Sequence, residues 1–360
     1  MSTATEQVRT SLGARIALIA GSVLLTLAVL ELGCRLLRGP DKLLDWKNIV
    51  LDERIGLAGQ NQGSRFSYDP LLGYVQRGGF ASSLINYDAQ GFRVMPPLPA
   101  GAIDAPPILA TGDSFTQGDE AADNETWPAR LQQRLRWRVV NAGVAAYGID
   151  QTVLRTEQLA AQLEPAAIVV GFIADNLRRA EMSRTWGAPK PYFELKDGEA
   201  VLRNVPVPPA PDPRDTLGFW ERAFGWSVAL ETFLEIKGWR YEWVVDHERA
   251  TPPGTGEKLA CPLMKRLARL GIPTLVVAQY DFYVWENEAF GAGQRRLSRI
   301  VLECAEKAGL ATLDLYEATA RAIRQGGRNA IYHAWHPSPE GYRLIADGIA
   351  AEMTRRGMLK

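Results

Sequence analysis

Cysteine and histidine are scarce in this chain, at three each in 360 residues. Cys34, Cys261 and Cys304 are too few and too widely spaced for a disulfide framework or a zinc ribbon. Two readings stay open for Cys261 and Cys304: a pair formed in an oxidising compartment, or two buried thiols. Net charge is also lacking. Forty-one basic residues balance 41 acidic ones with no long run of like charge, which argues against a nucleic-acid role resting on bulk positive charge. No internal repeat of the kind that builds solenoids is present. What remains, 46% hydrophobic and 23% charged, is an ordinary globular composition with enough apolar residues for a core.

Long apolar runs are absent with one exception. Ile16 to Leu30 carries no charge, and Leu32, Gly33 and Cys34 extend the run past Glu31. Fifteen helical residues span about 22 Å, short of a ~30 Å hydrocarbon core unless the ends contribute. Arg15 and Arg35 can snorkel to opposite surfaces. A secretory signal is the rival, but no Ala-x-Ala site follows. Leu30-Glu-Leu-Gly-Cys34 has some likeness to a lipoprotein site, into which Glu31 fits badly. An uncleaved anchor over 16–37 is the preferred reading, after an N-terminal tail over 1–15. Arg9 and Arg15 before it and Arg35, Arg38 and Lys42 after it give no clear orientation.

Residues 38–106 read as a stalk and preamble rich in turn residues, with short pieces suited to edge strands. From Pro107 the pattern alternates. Apolar runs at 107–111, 138–141, 166–172, 273–278 and 311–315 predict strands buried on both faces. Helices are expected near 126–135, 149–163, 257–270, 293–308 and 339–354. Such alternation predicts an α/β fold with a parallel sheet of about five strands, whose ligands bind at the strands' carboxyl ends. An insertion over 181–251 interrupts the domain spanning 107–356. It holds a predicted hairpin, a proline-rich linker and a tryptophan-bearing amphipathic helix expected to pack on the core, with a lid or a membrane-surface contact as the alternatives.

Ser114 directly follows the first of these strands, in Gly112-Asp-Ser-Phe-Thr116, with Gly112 permitting a tight bend. Its hydroxyl is expected at the sheet's carboxyl edge, near backbone N–H groups suited to an oxyanion. A helix-capping serine is the alternative. A serine hydroxyl needs an imidazole to take its proton. His333 and His336 lie in one loop after the last predicted strand. Pro337 and Pro339 oppose a helix that would present them as a metal pair, so no metal is expected.

Together these segments resemble the SGNH/GDSL hydrolase family. Gly112-Asp-Ser-Phe-Thr116 resembles its nucleophile block and His336-Pro337 its last block. Asn141-Ala-Gly-Val-Ala-Ala-Tyr-Gly148 and Gly171-Phe-Ile-Ala-Asp-Asn176 resemble the second and third. The resemblance covers roughly 107–354, and it implies a flavodoxin-like three-layer α/β/α fold and ester chemistry with no metal or cofactor. Ser114 would be the nucleophile and His336 the base. Ala146, standing where the family has glycine, and Gly148 and Asn176 are the oxyanion candidates. The anchor and Gln90-Gly-Phe-Arg93 look like the membrane-tethered bacterial branch.

Besides Ala146, two further departures follow from the same comparison. His333 occupies the place of the family's aspartate and cannot supply the charge that orients an imidazolium. Asp281 and Glu317, near strand ends, are candidates to replace it, and Asp113 is a further site-lining carboxylate. Asp175-Asn176 reverses the family's Asn-Asp, so Asp175 in the amide's place would repel an oxyanion. The expectation is an exported, membrane-anchored serine esterase or deacylase acting on O-acyl groups of an envelope glycan or a small ester, with no nucleic-acid partner. An O-acyltransferase and a non-catalytic glycan-binding or assembly subunit are the alternatives.

Overall fold

The computed structural model describes residues 11–62 and 65–359, so most of the expected N-terminal tail lies outside the described residues. Two compact units are present: residues 58–210 with 247–360, and residues 1–57 with 211–246.

The larger unit is built on a five-stranded parallel sheet. Its strands are β1 (Ile103–Thr111), β2 (Trp137–Asn141), β3 (Ala167–Phe172), β4 (Thr274–Ala278) and β5 (Ala311–Asp314), in the order β5-β4-β3-β1-β2. Alternate side chains of a strand serve opposite faces. Ile108, Ala110, Val169 and Val277 meet Trp127 and Leu131 of helix Trp127–Leu135 and Tyr342, Ile345 and Ile349 of helix Pro339–Arg355. Leu109, Ile168, Val170 and Val276 pack instead on helices Ile149–Leu163, Thr255–Ala268 and Glu288–Lys307. This is a three-layer α/β/α sandwich, as expected. Helix starts follow local capping: Thr126 and Ser338 accept from the N–H three residues on, and Pro128 and Pro339 occupy first-turn positions whose N–H needs no partner. Cys261 and Cys304, on two neighbouring helices of one face, form a disulfide with Cα atoms 4.6 Å apart.

The preamble is more structured than an extended stalk. Phe66–Asp69 and Gly73–Gln76 form a hairpin whose turn is made by Asp69, accepting from the N–H groups of Leu71 and Leu72 at 2.8 Å. Within the insertion, Tyr192–Lys196 and Glu199–Arg203 pair as a second hairpin.

In the smaller unit, helix α1 (Leu12–Arg38) has a mean hydropathy of 2.2 over its most apolar 18 residues and is long and apolar enough to cross a membrane. The tryptophan-rich stretch is not the single core-packed amphipathic helix predicted. It forms three short helices, Phe219–Phe224, Val228–Lys237 and Arg240–Trp243, in the unit that holds α1. Gly238, in the left-handed region at φ 71°, closes the second, and Ser227 caps its start. Phe219, Trp220, Phe233, Ile236 and Trp239 remain exposed.

Candidate active site

β1 ends at Thr111, and the chain turns at Gly112 into the single helical turn Ser114–Gln117. The bend demands glycine: a Cβ at residue 112 would lie 2.5 Å from the carbonyl oxygen of Gly171 on the neighbouring strand. Asp113 caps the turn, accepting from the Phe115 N–H at 3.0 Å. Ser114 thus stands at the carboxyl edge of the sheet. His336, on the loop before helix Pro339–Arg355, places Nε2 2.9 Å from Ser114 Oγ. That loop is pinned by the His333 N–H donating to the His336 carbonyl at 2.9 Å and by the Ser338 N–H donating to the Ile331 carbonyl at 2.8 Å.

The other ring nitrogen meets a carboxylate that the sequence reading did not name. His336 Nδ1 is 3.3 Å from Glu120 Oε1, an oblique ion-pair approach rather than a well-formed hydrogen bond. The second oxygen of Glu120 accepts from the N–H groups of Trp335 and His336, both at 3.3 Å. Burial pulls the His336 pKa down, but Glu120, with Asp119 and Asp113, outweighs it and the net shift is upward. Reciprocally, the hydrogen-bonding and charge of His336 lower the Glu120 carboxyl. Glu120 has φ 63°, a conformation disfavoured for a side-chain-bearing residue and held only where surroundings impose it.

Those surroundings centre on Arg93, the last residue of the Gln-Gly-Phe-Arg preamble. Its fully buried guanidinium donates to the carbonyls of Gln117 and Gly118 at 3.1 Å, Ala121 at 2.7 Å and Leu84 at 3.0 Å, and pairs with Asp123 at 2.5 Å. One side chain therefore fixes the loop on both sides of Glu120. A planar five-donor fork suits this task in a way a lysine does not.

The second block closes on the Ser114 turn. Gln117 Oε1 accepts from the Ala145 N–H at 2.9 Å, and Asn141 Nδ2 donates to the Gln117 carbonyl at 3.3 Å. Ala146 adopts φ 66°, in the left-handed region that favours glycine. Gly148 caps helix Ile149–Leu163, its N–H directed to Gln151 Oε1 at 3.3 Å.

The third block supports Asp113 from behind. Asn176 Nδ2 donates to Asp113 Oδ2 at 2.8 Å and to the Tyr147 carbonyl at 3.0 Å, while its Oδ1 accepts from the Ile173 N–H at 3.0 Å. Both amide protons are thereby engaged. Arg179 Nη1 lies 3.4 Å from Asp113, whose carboxyl is nevertheless pushed up by complete burial. Asp175 pairs with Arg178 at 2.7 Å and Arg179 at 2.8 Å, and these cations hold its carboxyl far below the usual range against the effect of burial. Its charge is compensated rather than aimed at an oxyanion.

Asp281 and Glu317 do not approach His336. Asp281 caps the turn Phe282–Trp285 through the Tyr283 N–H, and burial raises its carboxyl to about 6. Glu317 is exposed, 3.9 Å from Arg295. His333 is exposed beside the histidine loop. His247 lies edge-on to Trp186. Among the described residues no three His, Cys, Asp or Glu side chains are grouped to hold a metal. The missed residues, Glu120 and Arg93, had only a faint signal: an acidic pair directly after Gly118, and an arginine closing a turn-rich preamble.

Solved structures to which this chain is similar include an α/β hydrolase from the metagenome of Lake Arreo, Spain, at 16% identity and TM-score 0.45, covering 72% of this chain and 98% of its own. An acetylxylan esterase from Geobacillus stearothermophilus matches at 16% identity and TM-score 0.41, covering 70% and 95%. A member of the lipolytic G-D-S-L family from Veillonella parvula matches at 13% and 0.39, covering 69% and 98%. A search of curated proteins finds no match. Such distant likenesses say nothing of this chain's substrate. Residues 110–344, more than half of the sequence, match the GDSL-like lipase/acylhydrolase family, and the chain belongs to it.

Proposed function

We propose that this ester-hydrolysing enzyme is a membrane-anchored deacylase that removes O-acyl groups from an envelope glycan by an acyl-enzyme route. The 2.9 Å contact of Ser114 Oγ with His336 Nε2 carries the reading. Neutral His336 takes the Ser114 proton as Oγ attacks the acyl carbonyl. The resulting imidazolium then protonates the departing sugar oxygen. Glu120 holds the ring and compensates its charge, the work that the family's aspartate would do from position 333. Developing oxyanion charge falls to backbone N–H groups around Ser114 and Ala146, since the Asn176 amide is engaged with Asp113. Water, activated by the same imidazole, then attacks the acyl-enzyme, releasing the carboxylic acid and restoring Ser114.

A glycan is favoured by rings beside the base. Trp335, adjacent to His336, lies 5.5 Å from Tyr283, which lies 6.4 Å from Phe290, and all three are exposed. The apolar C–H faces of pyranose rings stack on such surfaces while their hydroxyls stay wet. The anchor reading rests on α1, and an exported catalytic unit is supported by the Cys261–Cys304 disulfide, a bond that persists in oxidising compartments.

The test is fluorophosphonate labelling and acetyl-ester hydrolysis by the full-length protein. Wild type should label and turn over, and Ser114→Ala should do neither. Labelling of Ser114→Ala equal to wild type would overturn the nucleophile. Release of acetate from acetylated polysaccharide, against transfer to an added glycan, separates hydrolysis from acyl transfer.

A further inference from the structure

The segment 211–246 contains a cluster of exposed rings that ester hydrolysis does not use. Phe219 and Trp220 are 72% and 62% exposed, Ile236 is 77% and Trp239 56% exposed, and Trp220 stacks on Phe224 with centroids 5.7 Å apart. Soluble surfaces seldom gather large apolar side chains so closely unless something covers them.

What the segment holds identifies the cover. Glu31, inside the apolar helix α1, is buried because the segment encloses it: its carboxylate accepts from Ser227 Oγ at 2.7 Å and from the N–H groups of Val228 and Ala229 at 3.0 and 3.1 Å. Arg35, one turn on, is wholly buried. It pairs with Glu31 at 2.7 Å and donates to the carbonyls of Lys42 and Asp45 at 2.6 Å and Trp226 at 2.7 Å, with its guanidinium 3.9 Å over the Trp46 ring. Asn48 ties in the preceding short helix through the Glu221 carbonyl at 2.9 Å. The rings of 219–224 are thus bound to the level of α1 at which Arg35 sits.

That level can be placed by length. Arg15 to Arg35 is twenty helical residues, about 30 Å at 1.5 Å each, which equals the hydrocarbon core of a bilayer. With Arg15 at one face, Arg35 falls at the other, and the exposed Leu32, Leu36 and Leu37 straddle that boundary. A bare Glu31 or Arg35 there would be costly, and the clasp removes both from lipid. Aromatic residues at this depth sit in the headgroup layer.

Resting on the anchor reading above, we propose that residues 219–226, with Leu44 and Trp46, form a collar that lies in the interfacial layer of the lipid bilayer around the exit of α1. Burial of rings supplies the attachment rather than charge, because residues 211–246 hold seven acidic side chains against four basic ones.

The experiment uses the full chain in vesicles of phosphatidylcholine brominated near the headgroups. Flotation with the vesicles after a salt wash reports the anchor. Quenching of tryptophan emission by the bromine reports the collar. Trp220→Phe should float as wild type does and lose a distinct share of the lipid-quenched emission, with acrylamide quenching of wild-type Trp220 weak. Quenching by brominated lipid that Trp220→Phe leaves unchanged would overturn the collar while leaving the anchor standing. So would efficient crosslinking between two copies of Trp220→Cys, which would mark a self-association face. Failure to float would overturn the anchor and the collar with it.

Discussion

Replacing Glu120 by glutamine keeps the shape of the side chain and removes only its charge. At 3.3 Å an imidazolium and a carboxylate attract by about 5 kcal/mol at an effective dielectric of ~20. Glu120 retains 31% of its side-chain exposure and the approach is oblique, so solvent screens part of that attraction. Discounting accordingly leaves about 2–4 kcal/mol of imidazolium stabilisation in the transition state, or roughly a 30- to 1,000-fold loss in kcat. The ceiling is the ~10⁴ lost by a serine protease deprived of its orienting carboxylate.

The pH profile separates this role from a structural one. The base works as neutral imidazole, so wild-type kcat/KM falls as pH drops through the His336 pKa, which Glu120 raises. Without that charge the pKa falls, with Asp119 and Asp113 still opposing burial. Glu120→Gln should therefore have a lower plateau and an acid limb moved to lower pH. Folding stability follows the same linkage: the raised His336 contributes below its unfolded pKa and loses this as pH rises. The lowered Glu120 contributes above its own and loses it as pH falls, so the pair stabilises most in mildly acid solution. His333→Asp should add little to wild type yet restore part of the rate to Glu120→Gln, because only then does Nδ1 lack a carboxylate. A Glu120→Gln plateau within about threefold of wild type, with the limb unmoved, would refute the assignment.

Arg93→Lys should cost activity comparably to Glu120→Gln, and the double variant should be little worse than either, since both act through one loop; strict additivity in the cycle would refute this coupling. Gly112→Ala should abolish fluorophosphonate labelling and lower the thermal midpoint, because its Cβ would meet the Gly171 carbonyl at 2.5 Å. Cys261→Ser with Cys304→Ser should destabilise the fold by up to about 4 kcal/mol in the chain-entropy model for a loop closed over 43 residues, read by denaturant unfolding of the oxidised and reduced protein.

Much of the scaffold is legible without coordinates because buried parallel strands are uninterrupted apolar runs, and the predicted strand at 107–111 differs from β1 chiefly in where it starts. Helix 149–163 lies where its apolar periodicity predicts it, between Gly148 and Glu164. The helix over 49–62 left no such trace: its glycines and weak apolar periodicity look like a linker. The tryptophans of 220–243 mislead for a different reason. Ring spacing reports amphipathicity but not the medium on the other side, and a ring bound for lipid has the same periodicity as one bound for a protein core.

The site divides along the same line. Ser114 stands out because its turn needs glycine at 112 and a cap at 113, and His336 because histidine is so rare in this chain; both constraints are local in the sequence. The orienting carboxylate is not subject to a local constraint. Its work is to place negative charge beside Nδ1, and any backbone position from which a carboxylate can reach satisfies it. On the mechanism proposed above, the charge comes from the loop that carries Ser114, six residues on, and it costs an unfavourable backbone conformation at Glu120 and a buried arginine to hold it. That explains why a histidine is tolerated at 333, and why the preamble that supplies Arg93 belongs to the machinery of the site although it precedes every block that resembles the family.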